Sequence, residues 1–294
     1  MATGPIAQNE PLFRLTVPPE KPRRRLPFSA WHLFLLPVAA VMLIPLLWMV
    51  IVSFETAPQS QRFPPLLFPH SFHAQSYLDA WNAAPFGHYF LNSAIYSLST
   101  VAGQLLFCSL AAYAFARIRF FGREVLFVVM LATLMVPFQV LLIPTFLIVK
   151  KLGLVDSVGG LIVPNLCSAF GIFLLRQFFR TLPIELEEAA RIDGASRLAI
   201  LFKIVLPLSL PALATLGIIQ FLWSWNDFLW PLVMINTDTH APIQLGLASL
   251  QGGHFTEWNV LMAGTVMSQI PILLAFFFAQ RWFIQSLAYT GIKQ

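Results

Sequence analysis

The stretch LFLLPVAAVMLIPLLWMVIVS, residues 33–53, contains no charged residue. A helix rises 1.5 Å per residue, so about 20 apolar residues are needed to cross a hydrocarbon core roughly 30 Å thick. Five further stretches meet that requirement: Tyr89 to Ala116, Val125 to Val149, Ser157 to Leu175, Ile204 to Asp227 and Trp258 to Gln280. The chain is 57% apolar and 11% charged, with mean hydropathy +0.73. A soluble domain carries about 45–50% apolar and about 25% charged residues. The expected fold class is therefore an all-α membrane protein with six transmembrane helices over residues 31–294. The proline-rich, polar residues 1–30 are expected to form a mobile cytoplasmic tail. The first apolar run is longer than the 7–15 residues of a signal-peptide core, which makes it an uncleaved anchor.

Lysine and arginine set the expected orientation. Fifteen of the 18 fall in the N-terminal tail, the second-to-third connection, the fourth-to-fifth connection and the C-terminal end. Three, Arg62, Lys150 and Lys151, fall on the other side. Both termini are thus expected in the cytoplasm. The net charge of +5 reads as a topology signal rather than a nucleic-acid surface. Cys108 and Cys167 lie in apolar runs and are expected to be packed thiols. The proline-rich RFPPLLFP suits extended backbone in the outward loop after the first span.

One segment breaks the apolar pattern. EEAARIDGASRLAILFKIVLPL, residues 187–208, concentrates Glu187, Glu188, Arg191, Asp193, Arg197 and Lys203 on the cytoplasmic side, between spans four and five. Thr181 can cap a helix there, Pro183 fits its first turn, and Glu185, Glu187 and Glu188 complement the positive end of its dipole. Gly194 can end it. A helix lying on the membrane would favour basic residues toward anionic headgroups. The acidic cluster instead suits a short helix that docks into another protein.

The spacing Glu188-Ala189-Ala190, then Gly194, then Ile204, then Leu206-Pro207 resembles the cytoplasmic signature loop of ABC importer permease subunits. FLLRQFFRTLPIELEEAARIDGAS, WSWNDFLWPL and QRWFIQSLAYTGIKQ are similar to the maltose-type, carbohydrate-importing subfamily. That resemblance implies a coupling helix seated in a cleft of a separate ATPase. Glu188 would offer a carboxylate to a basic group there, Ala189 and Ala190 would permit close packing, and Gly194 would permit the turn. Asp193, Ile204, Leu206 and Pro207 complete the implied coupling set. It further implies a second homologous permease, an ATPase dimer carrying ATP and Mg, an extracytoplasmic solute-binding protein and a bacterial or archaeal inner membrane. The implied cargo is a sugar, an oligosaccharide or a polyol phosphate.

Chemistry within the chain itself is not expected. The sequence has no Gly-x-x-x-x-Gly-Lys phosphate loop, no His-Glu-x-x-His pair and no Gly-x-Ser-x-Gly elbow. No catalytic residue, metal site or cofactor is expected in it. A self-sufficient secondary transporter would need midplane charges or interrupted inverted repeats, and the sequence offers neither.

Two outward regions are candidates for the pathway or for the binding protein. A span starting at Ile204 puts Asp227 roughly 34 Å along the helix, at the outer interface. Trp223, Trp225 and Trp230 then read as an aromatic belt. Asn226 and Asp227 form either a structural polar cluster or the outer mouth of the pathway. In LQGGHFTEWN, the tip Gln251, Gly252, Gly253 and His254 is either a connecting turn or, by the resemblance, a loop reaching the binding protein.

Overall fold

The computed structural model describes residues 31–64, 72–251 and 256–291, with backbone alone at 279 and from 281 onward. The expected tail 1–30 and Gly252, Gly253 and His254 lie outside the described residues, as does part of RFPPLLFP. The chain divides into two units at Pro45. Within the first, residues 31–45 form the opening part of helix α1 (Trp31–Ser53), exposed throughout.

The second unit takes the remainder of α1 and then α2 (Gln75–Ala83), α3 (Phe86–Arg117), α4 (Arg123–Met135), α5 (Phe138–Lys151), α6 (Val158–Asn165) and α7 (Ala169–Thr181). It continues with α8 (Glu185–Ile192), α9 (Arg197–Leu208), α10 (Leu210–Trp225), α11 (Leu229–Met234), α12 (Ile243–Ser249) and α13 (Trp258–Gly291). The described residues contain no strand.

Among the described residues, three helices, α1, α3 and the first part of α13, are long and apolar enough to cross a membrane alone. Three further candidate spans are broken. Helices α4 and α5 meet at 105°, α6 and α7 at 43°, and α9 and α10 at 81°. The expectation of unbroken third, fourth and fifth spans is corrected accordingly, and the breaks have local causes. Pro137 has no N–H to continue α4, and Val136 before it is extended. Ser168 begins α7 afresh, its Oγ accepting from Gly171 N–H at 3.0 Å. Pro207 and Pro211 flank the bend at Ser209, and a π-helical turn over Leu201–Val205 precedes it. Helix α10 therefore starts at Leu210, not at Ile204.

Helix α3 is the element around which the second unit packs. Its N-terminal half, near Phe86, Tyr89 and Tyr96, shares a core with Leu161, Trp225 and Trp230. Its other half, near Cys108, Ala112 and Tyr113, shares a core with Leu175, Phe179 and Leu201. Gly103 permits the close approach of the α6–α7 break, since a Cβ there would fall onto Leu166. The thiols divide: Cys108 is buried and Cys167 is exposed, their Sγ atoms 3.7 Å apart. Only the first matches the expectation of packed thiols.

Candidate functional site

Helix α8 carries the charged segment, and its ends differ from those expected. It starts at Glu185, with Ile184 before it and Pro183 outside it. Thr181 does not cap it; its hydroxyl donates to Phe178 carbonyl at 2.7 Å, within the last turn of α7. Three glutamates in the first turn, Glu185, Glu187 and Glu188, do face the positive end of the dipole.

The helix closes in a Schellman motif. Gly194 N–H donates to Arg191 carbonyl at 3.0 Å, and Ala195 N–H donates to Ala190 carbonyl at 2.9 Å. Gly194 takes φ +81°, the left-handed conformation the motif requires. Ala190 and Ala195 pack together onto the core around Tyr113 and Phe179.

The glutamates then separate by direction. Glu187 is 2% exposed. Its Oε1 lies 2.7 Å from Arg117 Nε, and its Oε2 accepts from Tyr113 hydroxyl at 3.0 Å. Arg117 ends α3, and its Nη2 donates to the carbonyls of Phe179 and Leu182, each at 2.7 Å. One guanidinium thus ties the end of α7 and the first turn of α8 to the last turn of α3. Glu188, Ala189, Asp193 and Gly194 point the other way and are exposed. The same outer surface carries Leu186, Ile192 and Leu198, with Ile192 87% exposed. Ile204 and Leu206 are half-buried in α9, and Pro207 is exposed. The structure therefore gathers Glu188, Ala189, Asp193 and Gly194 on one exposed turn and uses Ile204 and Leu206 to hold α9.

Sequence reasoning treated Glu187 as a dipole partner and did not assign Tyr113 or Arg117. A sequence signal existed: Arg117 falls at the end of an apolar span, and Tyr113 lies one turn before it. The same applies to Arg176, placed beyond the fourth span by sequence. The helix runs on to Thr181 and buries it to 4% exposure. Arg176 pairs with Glu124 at 3.0 Å and lies 3.7 Å over the Phe127 ring.

The outward candidates are also rearranged. Asn226 and Asp227 are adjacent in sequence but do not form one cluster. Asn226 is exposed; its Nδ2 donates to Leu222 carbonyl and its Oδ1 accepts from Gln244. Asp227 turns inward, accepting from Tyr96 hydroxyl at 2.8 Å and from Trp230 N–H at 3.3 Å. Asn165 donates to the same Tyr96 oxygen at 3.2 Å, which links the α6–α7 break to the end of α10. The belt expectation fails for two of the three tryptophans. Trp225 and Trp230 are buried, donating to the carbonyls of Ser268 and Gly160. Trp223 is exposed and packs against Phe170. Gln251 is exposed at the end of α12, its N–H bonded to Ala248 carbonyl at 3.1 Å.

This is the architecture of a multi-pass membrane transport component: broken and unbroken spans around α3, with a short charged helix presented at one end. A family described as "Binding-protein-dependent transport system inner membrane component" matches residues 104–289, and the chain belongs to that family. It is 37% identical over 259 residues to the arabinooligosaccharides transport system permease protein AraQ of Halalkalibacterium halodurans, a match spanning 87% of this chain and 93% of that one. It is 39% identical over 232 residues to the sn-glycerol-3-phosphate transport system permease protein UgpE of Pectobacterium atrosepticum, spanning 76% and 83%. The crystal structure of a bacterial ABC transporter involved in the import of the acidic polysaccharide alginate matches with TM-score 0.74 and 27% identity. That match covers 87% of this chain and 99% of the other. A second alginate transporter structure, bound to a pentasaccharide-loaded periplasmic protein, matches in fold with TM-score 0.57 at 15% identity, over 85% and 92% of the two chains. The chain is a permease, not an enzyme.

Proposed function

We propose that this permease forms half of the membrane pore of an ATP-driven importer for a sugar, an oligosaccharide or a polyol phosphate. It crosses the inner membrane of a bacterium or archaeon six times, each bent pair counting as one span, with both termini in the cytoplasm. A second permease completes the pore, a solute-binding protein delivers cargo, and an ATPase dimer supplies ATP and Mg. The relatives named for arabinooligosaccharides and sn-glycerol-3-phosphate support that cargo class.

The observation that carries this reading is the two-faced helix α8. Glu187 roots it in α3 through Arg117, while Glu188, Ala189, Asp193 and Gly194 stand exposed where another chain can meet them. A helix so rooted moves with the spans it is tied to, because packed interfaces shift between discrete arrangements. Ile204, Leu206 and Pro207 then carry motion through α9 to α10 across the 81° bend.

The test is to purify the chain with its co-encoded neighbours and compare ATPase activity for wild type and Glu188→Ala. The expected result is a co-purifying ATPase whose stimulation by binding protein and cargo falls at least tenfold in the variant. Unchanged stimulation would remove Glu188 from the coupling contact. A chain that purifies alone and moves solute in liposomes without ATP would overturn the importer itself.

A further inference from the structure

Just past the end of α1 lies a carboxylate with no counter-group among the described residues. Glu55 is 2% exposed. Its backbone is satisfied: the N–H donates to Val52 carbonyl at 3.0 Å, and the carbonyl accepts from Ser76 Oγ at 3.3 Å. Its side chain is not. Oε1 is buried and accepts no hydrogen bond from any described residue. Buried carboxylates are ordinarily paired or hydrogen-bonded, because an unmet charge is costly away from water. Burial pushes the Glu55 carboxyl above its ordinary value, the direction expected of a carboxylate lacking a cation.

A second unmet acceptor belongs to the same hydrogen-bonded chain. Asn259 Nδ2 donates to Ser76 Oγ at 3.0 Å, and Ser76 spends its one proton on Glu55 carbonyl. That direction fixes the amide, leaving Asn259 Oδ1 buried with no donor among the described residues. Both unmet atoms are acceptors, and of the two residues Glu55 lines a cleft, where a carboxylate suits a cationic donor.

Glu55 lines a cleft of about 270 Å³ together with Trp48, Gln59, Ser60 and Trp258. Gln59 Oε1 is held by Thr56 N–H at 3.0 Å, so the group Gln59 can offer a ligand is its NH₂. Tryptophan faces attract cations, and a free amide NH₂ can donate to an anionic oxygen. The cleft thus offers the Glu55 carboxylate and two tryptophans for a cation, with a donor alongside for an anion.

Its position identifies the source of such a ligand. Glu55 lies two residues beyond an apolar helix of 23 residues, which places it at headgroup depth. Tryptophans collect at that depth. The adjoining turns of α1 expose Leu46, Leu47 and Val50, an apolar surface suited to acyl chains. We propose that this cleft seats the primary ammonium of an aminophospholipid headgroup, with Glu55 as its acceptor and Gln59 beside the phosphate. A primary ammonium supplies the N–H bonds that the Glu55 carboxylate lacks. A choline headgroup carries the same charge with no N–H and leaves the carboxylate unmet.

The test uses the assembled transporter, stripped of lipid in detergent and offered equal amounts of phosphatidylethanolamine and phosphatidylcholine of identical chains. Retained lipid is counted by native mass spectrometry. The wild type should hold the ethanolamine lipid about tenfold over the choline lipid, the discrimination expected of one hydrogen bond to a charged group. In Glu55→Gln the ratio should fall to within about twofold. Equal retention by the wild type, or an undiminished ratio in Glu55→Gln, overturns the proposal. If the variant does not assemble, mono-, di- and trimethylated ethanolamine lipids on the wild type decide the matter. Retention must drop at the trimethyl step, and a flat series overturns it. Displacement of the lipid by soluble glycerophosphoethanolamine at equal concentration, or by the binding protein's lysines on docking, would assign the cleft to those ligands and refute the lipid.

Discussion

Glu187→Ala tests whether α8 is rooted as described. In the native protein the Arg117 guanidinium, 9% exposed, has Glu187 Oε1 at 2.7 Å. Removing the carboxylate leaves that charge buried with only two carbonyls, those of Phe179 and Leu182, for company. Breaking one partner out of a buried pair costs about 3–5 kcal/mol. Tyr113 also loses its acceptor, a further penalty of about 1–3 kcal/mol that overlaps the first. A net loss near 4 kcal/mol, at roughly 2–4 °C per kcal/mol for a chain of this size, lowers the melting temperature by about 10 °C. The assay is a thermal melt of the assembled complex in detergent. A second variant isolates the cause: Arg117→Met with Glu187→Leu removes both charges and should recover most of the loss, since apolar replacement of a whole buried pair is often neutral. Two results would refute the reasoning. One is Glu187→Ala melting within about 2 °C of wild type. The other is the double variant melting as low as the single one.

Gly194→Ala should destabilise α8 by about 1–2 kcal/mol, because φ +81° is strained for any residue with a Cβ. No atom lies within 4 Å of the added carbon, so Gly194→Asn, which tolerates that conformation, should cost less; equal costs in a melt would point to packing instead. Asp156, in the turn before α6, accepts from the N–H groups of Asn236 at 2.9 Å and Thr237 at 3.0 Å. Those bonds, the Asn236 one first, hold its carboxyl below the ordinary 3.8. A depressed carboxyl stabilises above its unfolded value and loses that contribution as pH falls through the folded one. The protection of the Asn236 and Thr237 amides against hydrogen exchange should therefore hold at neutral pH, persist at the ordinary 3.8, and be lost only as pH falls through the lower folded value. Asp156→Ala should abolish it already at pH 7, and equal protection in the variant counts against the contact.

The apolar stretches were legible because membrane spans need length and lack of charge, and both are visible residue by residue. The breaks were less so. Pro137 and Pro207 were plain in the sequence, but a proline can kink a helix or end it, and the angle depends on tertiary packing that no local pattern records. The charged helix was legible from its acidic first turn and Gly194. The partition of its glutamates was not. Glu187 and Glu188 are neighbours of one residue type, and only the approach of Arg117 from 70 residues upstream makes one internal and the other external. Asn226 and Asp227 repeat the lesson, since a helix end sends consecutive side chains in different directions. The tryptophans misled because an interfacial belt and a buried aromatic core use the same residue, and only the Ser268 and Gly160 carbonyls distinguish them.

The 32 residues of α3 make a rod about 48 Å long. A bilayer's oily interior is about 30 Å deep, and an ordinary tilt near 20° shortens the rod's reach only to about 45 Å. Roughly 15 Å of it must therefore stand clear of the lipid tails. Polar grips hold both of its ends, where that overhang falls. Asn92 clasps the carbonyls of Thr239 and Ala241 near one tip, and Arg117 clasps Glu187 at the other. Between those handholds the shaft is pinned as well: Tyr96 donates to Asp227, Gln104 donates to Asn165 carbonyl, and Gly103 lets Leu166 press against it. A rod gripped at both tips and along its length hands a twist given to one tip on to whatever is tied to the other.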